Sequence, residues 1–237
     1  MSHDSDYIRT LMMRTVGNFL IITSLFFIGK TFYRPAIEEF RYFYEKQTGK
    51  KYLVAASKEE ADLVFEKNFG SNAKKGALRE GLNRENTEIL IPASTDFGIV
   101  IPKIAANSAI VPNVDAGNKD EYLEALKHGV AQARGTAYPG EGGHIYLFAH
   151  STDYVWNVGT YNAVFYLLYK LELGDEVVLF FKGQKFVYKV TGKEIIDPQD
   201  VNYLTRKTDK EFLTLQTCWP PGTTLKRQLI FAERVAE

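Results

Sequence analysis

The chain holds a single cysteine, Cys218, at the end of the strand-like run "TLQTC" and directly before a Trp-Pro-Pro-Gly turn. A thiol attacks only as its thiolate, so a working cysteine needs a neighbour that favours ionisation or takes its proton. Four histidines are available. His3 lies in a polar terminus, and His128 closes a helical run beside Gly129, where a cation suits a helix C-terminus. His144 begins the strand-like "HIYLFAH" and His150 ends it, opening onto "STDYVWNVGTYN", the polar, glycine-bearing kind of loop on which sites are assembled. His150 is therefore the candidate acid or base. Arg227 follows Cys218 by nine positions, across "WPPGTTLK", a spacing that suits a loop and a returning strand. A fixed guanidinium there would stabilise the negative charge that acyl transfer builds on a carbonyl oxygen. Taken singly, a strand-end histidine or a strand arginine is an ordinary structural residue; together with the thiol they point to nucleophilic chemistry.

Composition limits the alternatives. Lys plus Arg equals Asp plus Glu, 29 each, which argues against a nucleic-acid surface. One cysteine can form neither an internal disulfide nor a thiolate metal cluster. Aromatic residues make up 14% of the 237, which fits a β-rich globule rather than a disordered chain.

The elements that must position these residues lie after about Thr87. "EILIP", "FGIVIP", "SAIVPNV", "GHIYLFAH", "DEVVLFFKG", "QKFVYKVTG", "EFLTLQT" and "RQLIFAERV" all read as strands broken by Pro, Gly and Asn. "NKDEYLEALKHGVAQ" has helical spacing, and a second helix is expected around Ala163 to Leu171. Eight strands with two helices predict a mainly β domain, most simply a closed barrel.

Upstream, "TVGNFLIITSLFFIG" is uncharged from Thr15 to Gly29, and extending it to Tyr33 with Lys30 snorkelling gives 19 residues. That suffices for most of a ~30 Å hydrocarbon core. A cleaved signal peptide and a buried core helix are the rivals, but no small-x-small cleavage site follows. Arg9 and Arg14 precede the run and Lys30 and Arg34 follow it, so charge gives little preference for orientation. Between Pro35 and Asn86 the pattern is helical and charged. One helix opens at Pro35, a second carries the capping box Ser57 with Glu60, and "SNAKKGALREGLNRENTE" reads as a linker.

Thr214-Leu215-Gln216-Thr217-Cys218 resembles the TLxTC motif of sortases, the membrane-anchored cysteine transpeptidases of bacterial surfaces. The likeness extends through "IVIPKIAANSAIVPNVD", "ALKHGVAQARGTAYPGEGGHIYLFAHS" and "LELGDEVVLFFKGQKFVYKVTGKEIIDPQDVNYL", covering roughly Thr87 to Glu237 in the family's order of His, Cys, Arg. The resemblance implies an eight-stranded β-barrel and puts the family's catalytic residues on Cys218, His150 and Arg227. It also puts on Thr217 a position that helps contact the acyl oxygen; an ordinary strand role is the alternative. "AHST" stands where the best-known classes carry GHR or GHN, so the likeness does not extend to a class.

What the resemblance implies is transpeptidation. The thiolate would attack the Thr carbonyl of an LPxTG-like C-terminal sorting signal on a secreted protein. An amine, from a peptidoglycan precursor or a pilin lysine, would then resolve the thioacyl enzyme. An inactive binding barrel and an enzyme acting mainly as a hydrolase are the alternatives. No cofactor, metal or nucleic-acid partner is expected. The implied organisation is a cytoplasmic tail and membrane anchor (1–34), a spacer (35–86) and a catalytic domain (87–237), single-pass in the bacterial membrane with that domain outside.

Overall fold

The computed structural model describes residues 2–69, 86–151 and 164–235. The linker from 71 and the loop after Ser151 lie mostly outside the described residues, as does the expected start of a helix at 163. Helix α1 (Ser2–Thr48) runs without interruption through Pro35, where the sequence suggested a fresh start. A proline costs a helix one rung and some crowding. Here an apolar run before it and the Ile37–Tyr44 run after it both favour helix, so the element continues. It ends at Gly49, whose φ of +68° no side chain would favour, with the Lys50 N–H returning to the Glu45 carbonyl at 2.9 Å. Within α1, Asp6–Lys30 is 25 residues long, apolar and unburied, long enough by composition to cross a membrane. Met1–Arg41 forms one compact unit and Tyr42–Glu237 another.

The second unit opens with a small parallel sheet. Strand β1 (Lys51–Val54) leads into α2 (Lys58–Phe69), whose Glu60 N–H is capped by the Ser57 hydroxyl at 3.2 Å. Strand β2 (Thr87–Leu90) then pairs with β1. The "EILIP" run expected in the barrel is therefore outside it. Val54, Ala56 and Leu90 pack on Val100, Val178 and Phe180, the outward residues of two barrel strands.

The barrel comprises β3 (Phe97–Ile101), β4 (Ala106–Val114), β5 (Val130–Ala133), β6 (His144–Phe148), β7 (Glu176–Phe181), β8 (Gln184–Ile196), β9 (Phe212–Trp219) and β10 (Lys226–Arg234). It closes in the order β10-β8-β7-β3-β4-β5-β6-β9. The expected count of eight holds, but β5 takes the place given to "EILIP". Helix α3 (Lys119–His128) stops earlier than its spacing suggested, and β5 follows at once. Gly129 makes that junction possible: a Cβ there would meet the Ala109 carbonyl oxygen at 2.3 Å. The second expected helix is only turns and a short 3-10 segment at Leu168–Lys170 in its described part.

Alternation sorts the barrel side chains. Ile99, Leu147, Leu179, Leu213, Leu215 and Ile230 fill the interior and are fully buried. The opposite faces of β6, β9 and β10 carry the residues that concern function.

Candidate active site

Three adjacent strands build the site. β9 and β10 are antiparallel, and Cys218 stands directly opposite Arg227. Residues so paired project from the same face with Cβ atoms about 5 Å apart. The register delivers the cation more directly than a loop merely turning back would. On the other side β6 runs parallel to β9 at a constant offset, from His144 beside Phe212 to Phe148 beside Gln216. The ladder extends one residue further. The Ala149 N–H donates to the Gln216 carbonyl at 3.1 Å, and the Thr217 hydroxyl donates to the Ala149 carbonyl at 3.0 Å. His150 follows Ala149 directly, one step beyond these bonds, as Cys218 follows Thr217. The thiol and guanidinium positions thus form one row across β9 and β10, and the chain leaving β6, the strand on the other side of β9, leads on to His150.

The connection from β9 to β10 fixes the row's open end. Its Thr223 N–H donates to the Pro220 carbonyl at 3.0 Å, and the Trp219 ring rests against Tyr169 at 5.4 Å between centroids. Arg227 turns one guanidinium nitrogen, Nη1, back onto the Thr224 and Lys226 carbonyls at 3.2 and 3.1 Å. The remaining guanidinium donors have no hydrogen-bond partner among the described residues. A cation held by two carbonyls, with donors to spare, is preorganised for an oxyanion.

Electrostatics set the resting state. Cys218 is half-buried, and desolvation pushes its thiol above the ordinary value, while the Arg227 charge pulls the other way. The net upward shift means that the resting thiol keeps its proton and needs a base at the moment of attack. Tyr146, two pairs down the same face, also feels Arg227, but burial dominates and holds its phenol protonated.

Thr217 alternates with Cys218, so its side chain faces away from the row. It is buried, and its hydroxyl is committed to Ala149. Its observed contact holds the strand ends together rather than facing a substrate groove. Trp219 packs against Tyr169. His144 is buried, with Nε2 2.8 Å from the Thr214 hydroxyl, and lies six residues before His150 on β6. His128 is exposed, 3.5 Å from Glu124 within its own helix.

Further along the same face, a cavity of about 640 Å³ lies between the connection from β8 to β9 and strands β8 and β10. Glu194, Tyr203, Arg206, Phe212, Phe231 and Glu233 line it, and Cys218 does not. Two residues that sequence reasoning left unassigned also occupy this face. The Tyr146 hydroxyl donates to the Gln216 side-chain oxygen at 2.6 Å. The signal for Gln216 was present in its position two before the cysteine, which puts it on the thiol's face; nothing local marked Tyr146 as its partner.

Comparison with known proteins follows the same lines. The Sortase domain family model matches residues 99–235. The chain is 33% identical over 179 residues to sortase D of Bacillus subtilis (strain 168), covering 74% of this chain and 81% of that protein. Among solved structures it resembles sortase C-1 from Actinomyces oris, with a TM-score of 0.50 and 29% identity over 60% of this chain and 73% of that one. It also resembles sortase C1 of group B Streptococcus (GBS) pilus island 1, with a TM-score of 0.51 and 25% identity over 60% and 64%.

Proposed function

The chain belongs to the sortase family of cysteine transpeptidases, and from that premise we propose that Cys218, His150 and Arg227 cleave an LPxTG-like C-terminal sorting signal and transfer the protein to an amine. The observation that carries this reading is the Cys218–Arg227 register, and the bonds around Ala149 that lead the chain of β6 towards the thiol support it.

In this reading His150 takes the thiol proton as the Cys218 sulfur attacks the threonine carbonyl carbon. Arg227 stabilises the resulting oxyanion with the donors it does not spend on its own loop. The carbon–nitrogen bond breaks, and His150 returns its proton to the departing glycine amine, leaving a thioacyl enzyme. An incoming amine attacks that thioester and passes a proton to His150, so that a new amide forms and the carbon–sulfur bond breaks to release the thiolate. Transfer to a pilin lysine is supported by the likeness to a sortase encoded in a pilus island; a peptidoglycan amine is the other acceptor of the same chemistry. Thr217 contributes by holding the strand ends on which the thiol and imidazole sit.

The apolar helix Asp6–Lys30 supports a single-pass anchor, with residues 1–34 as tail and span and with residues 87–237 outside the cytoplasm. The parallel pairing of β1 with β2 shows that the segment from 35 to 86 supplies one strand of a small sheet packed on the barrel.

The test is to incubate the full chain in detergent with a library of sorting-signal peptides, with and without candidate amines, and to read the products by mass spectrometry. Cleavage at a Thr–Gly-like bond, amide formation with added amine, and loss of both in Cys218→Ala are expected. Hydrolysed product alone with every amine would make the protein a hydrolase. Turnover by Cys218→Ala would remove the thiol mechanism.

A further inference from the structure

Gln216 is a polar residue set between a ring on β6 and an aliphatic side chain on β10. It lies two residues before Cys218, about 6.6 Å along the strand, and projects from the same side. Its neighbours across the two ladders are Phe148 and Leu229, both buried. Burying a carboxamide among such groups is costly unless its hydrogen bonds are made. Half of them are. The side-chain oxygen accepts from the Tyr146 hydroxyl at 2.6 Å. Tyr146 is itself buried, and its phenol keeps its proton, so it is a fixed donor.

That bond decides which way the amide faces. With its oxygen turned to Tyr146, the Gln216 nitrogen turns away from it, carrying two N–H donors. Among the described residues these donors have no hydrogen-bond partner. Gln216 is half-exposed, and its nitrogen is not among the sealed, unpartnered polar atoms of the molecule. A donor that is held in place, unpaired among the described residues and one strand repeat from a nucleophile suits a ligand better than it suits the fold.

Resting on the reading of Cys218 as the nucleophile, we propose that Gln216, oriented by Tyr146, selects the donor substrate by hydrogen-bonding an acceptor side chain within two residues of the attacked carbonyl. The chemical class is a carboxamide or carboxylate side chain (Asn, Asp, Gln or Glu). An extended peptide repeats at the same interval as a strand, so one whose carbonyl reaches Cys218 brings a nearby residue over Gln216.

The experiment compares kcat/KM of the full chain on peptides that differ only at one position within two residues of the attacked carbonyl, each carrying an acceptor side chain or leucine there. Wild type should favour the acceptor peptide at one position by roughly three- to tenfold, the scale of one hydrogen bond. Gln216→Leu should erase that ratio. Gln216→Glu, which keeps the size and shape, should invert it for carboxylate peptides. Tyr146→Phe should reduce it without introducing charge. An unchanged ratio in Gln216→Leu, or the absence of any preference in wild type, overturns the proposal. Because cleavage itself is scored against Cys218→Ala, failure of the catalytic reading would appear as loss of all specific cleavage rather than as loss of a ratio.

Discussion

The Thr217 hydroxyl donates to the Ala149 carbonyl at 3.0 Å, and so ties the residue before the thiol to the residue before the imidazole. Thr217→Val preserves shape but leaves a buried carbonyl without its donor, a cost of about 1–3 kcal/mol. For a domain of this size that corresponds to a Tm lowered by roughly 2–10 °C. Turnover should fall about tenfold or more if these chain ends carry the chemistry as proposed, because they lose their tie; Thr217→Ser should restore most of both. Melting curves and peptide cleavage on the same preparations decide it, and wild-type values for Thr217→Val would show the bond to be incidental.

Arg227→Lys separates an oxyanion donor from a mere strand cation. An ammonium keeps the charge but not the planar fork that lets Arg227 grip its own loop while presenting other donors. Removing one oxyanion donor costs about 10²–10³ in rate in a well-studied protease, and a loss of that order is expected here. Arg206 lies over the Phe212 ring at 4.4 Å, away from the row, and Arg206→Lys should cost far less. Equal, small losses at both positions would take Arg227 out of the chemistry.

The same guanidinium should be visible in the thiol's titration. Burial raises the Cys218 pKa and the Arg227 charge lowers it, so removing the charge must raise it further. In Arg227→Gln the pH profile of iodoacetamide labelling should move to higher pH, with slower labelling at neutral pH than wild type. A profile that stays in place would mean that the charge does not act on the sulfur.

Stability should fall on the acid side because of His144. Burial, with a contribution from the Arg206 charge, lowers its pKa from 6.5 to about 4. The unfolded chain therefore binds a proton that the folded chain refuses between those values. The neutral ring's contribution is complete above about pH 6.5 and is lost as pH falls towards 4, by at most about 3 kcal/mol. Denaturant unfolding of wild type and His144→Gln across this window should show a steeper pH dependence in wild type. Parallel curves would remove His144 as the cause.

How much of this was legible depended on whether the signal was local. The thiol, its turn and the returning arginine lie within nine positions and declared themselves by spacing. The strand leading to His150 was readable as a strand, although it ends at Phe148, but not its neighbour, because the pairing of β6 with β9 joins residues far apart in sequence. Strand β5 was taken for the tail of a helix. "VAQA" has two alanines and a glutamine and little intrinsic preference for strand; it is extended because β4 and β6 flank it. Buried Gln132 helps to hold it there by accepting from the Asn113 N–H at 3.1 Å and donating to the Ala137 carbonyl at 3.0 Å. "EILIP" had the stronger local pattern and yet lies outside the barrel, since an apolar run does not state which partner it will find. Pro35 misled for the opposite reason: a residue that commonly opens a helix stands here inside one already running.

The parallel alignment of β6 and β9 also bears on when the enzyme becomes reactive. Its histidine and cysteine are 68 positions apart in the chain, and closing a loop of that size belongs among the slow, high-contact-order events of folding. A chain threaded unfolded across a membrane would carry its thiol with no proton acceptor at its side. Cys218 would then behave as an ordinary free cysteine until the barrel shuts, so the onset of its reactivity times the completion of the fold.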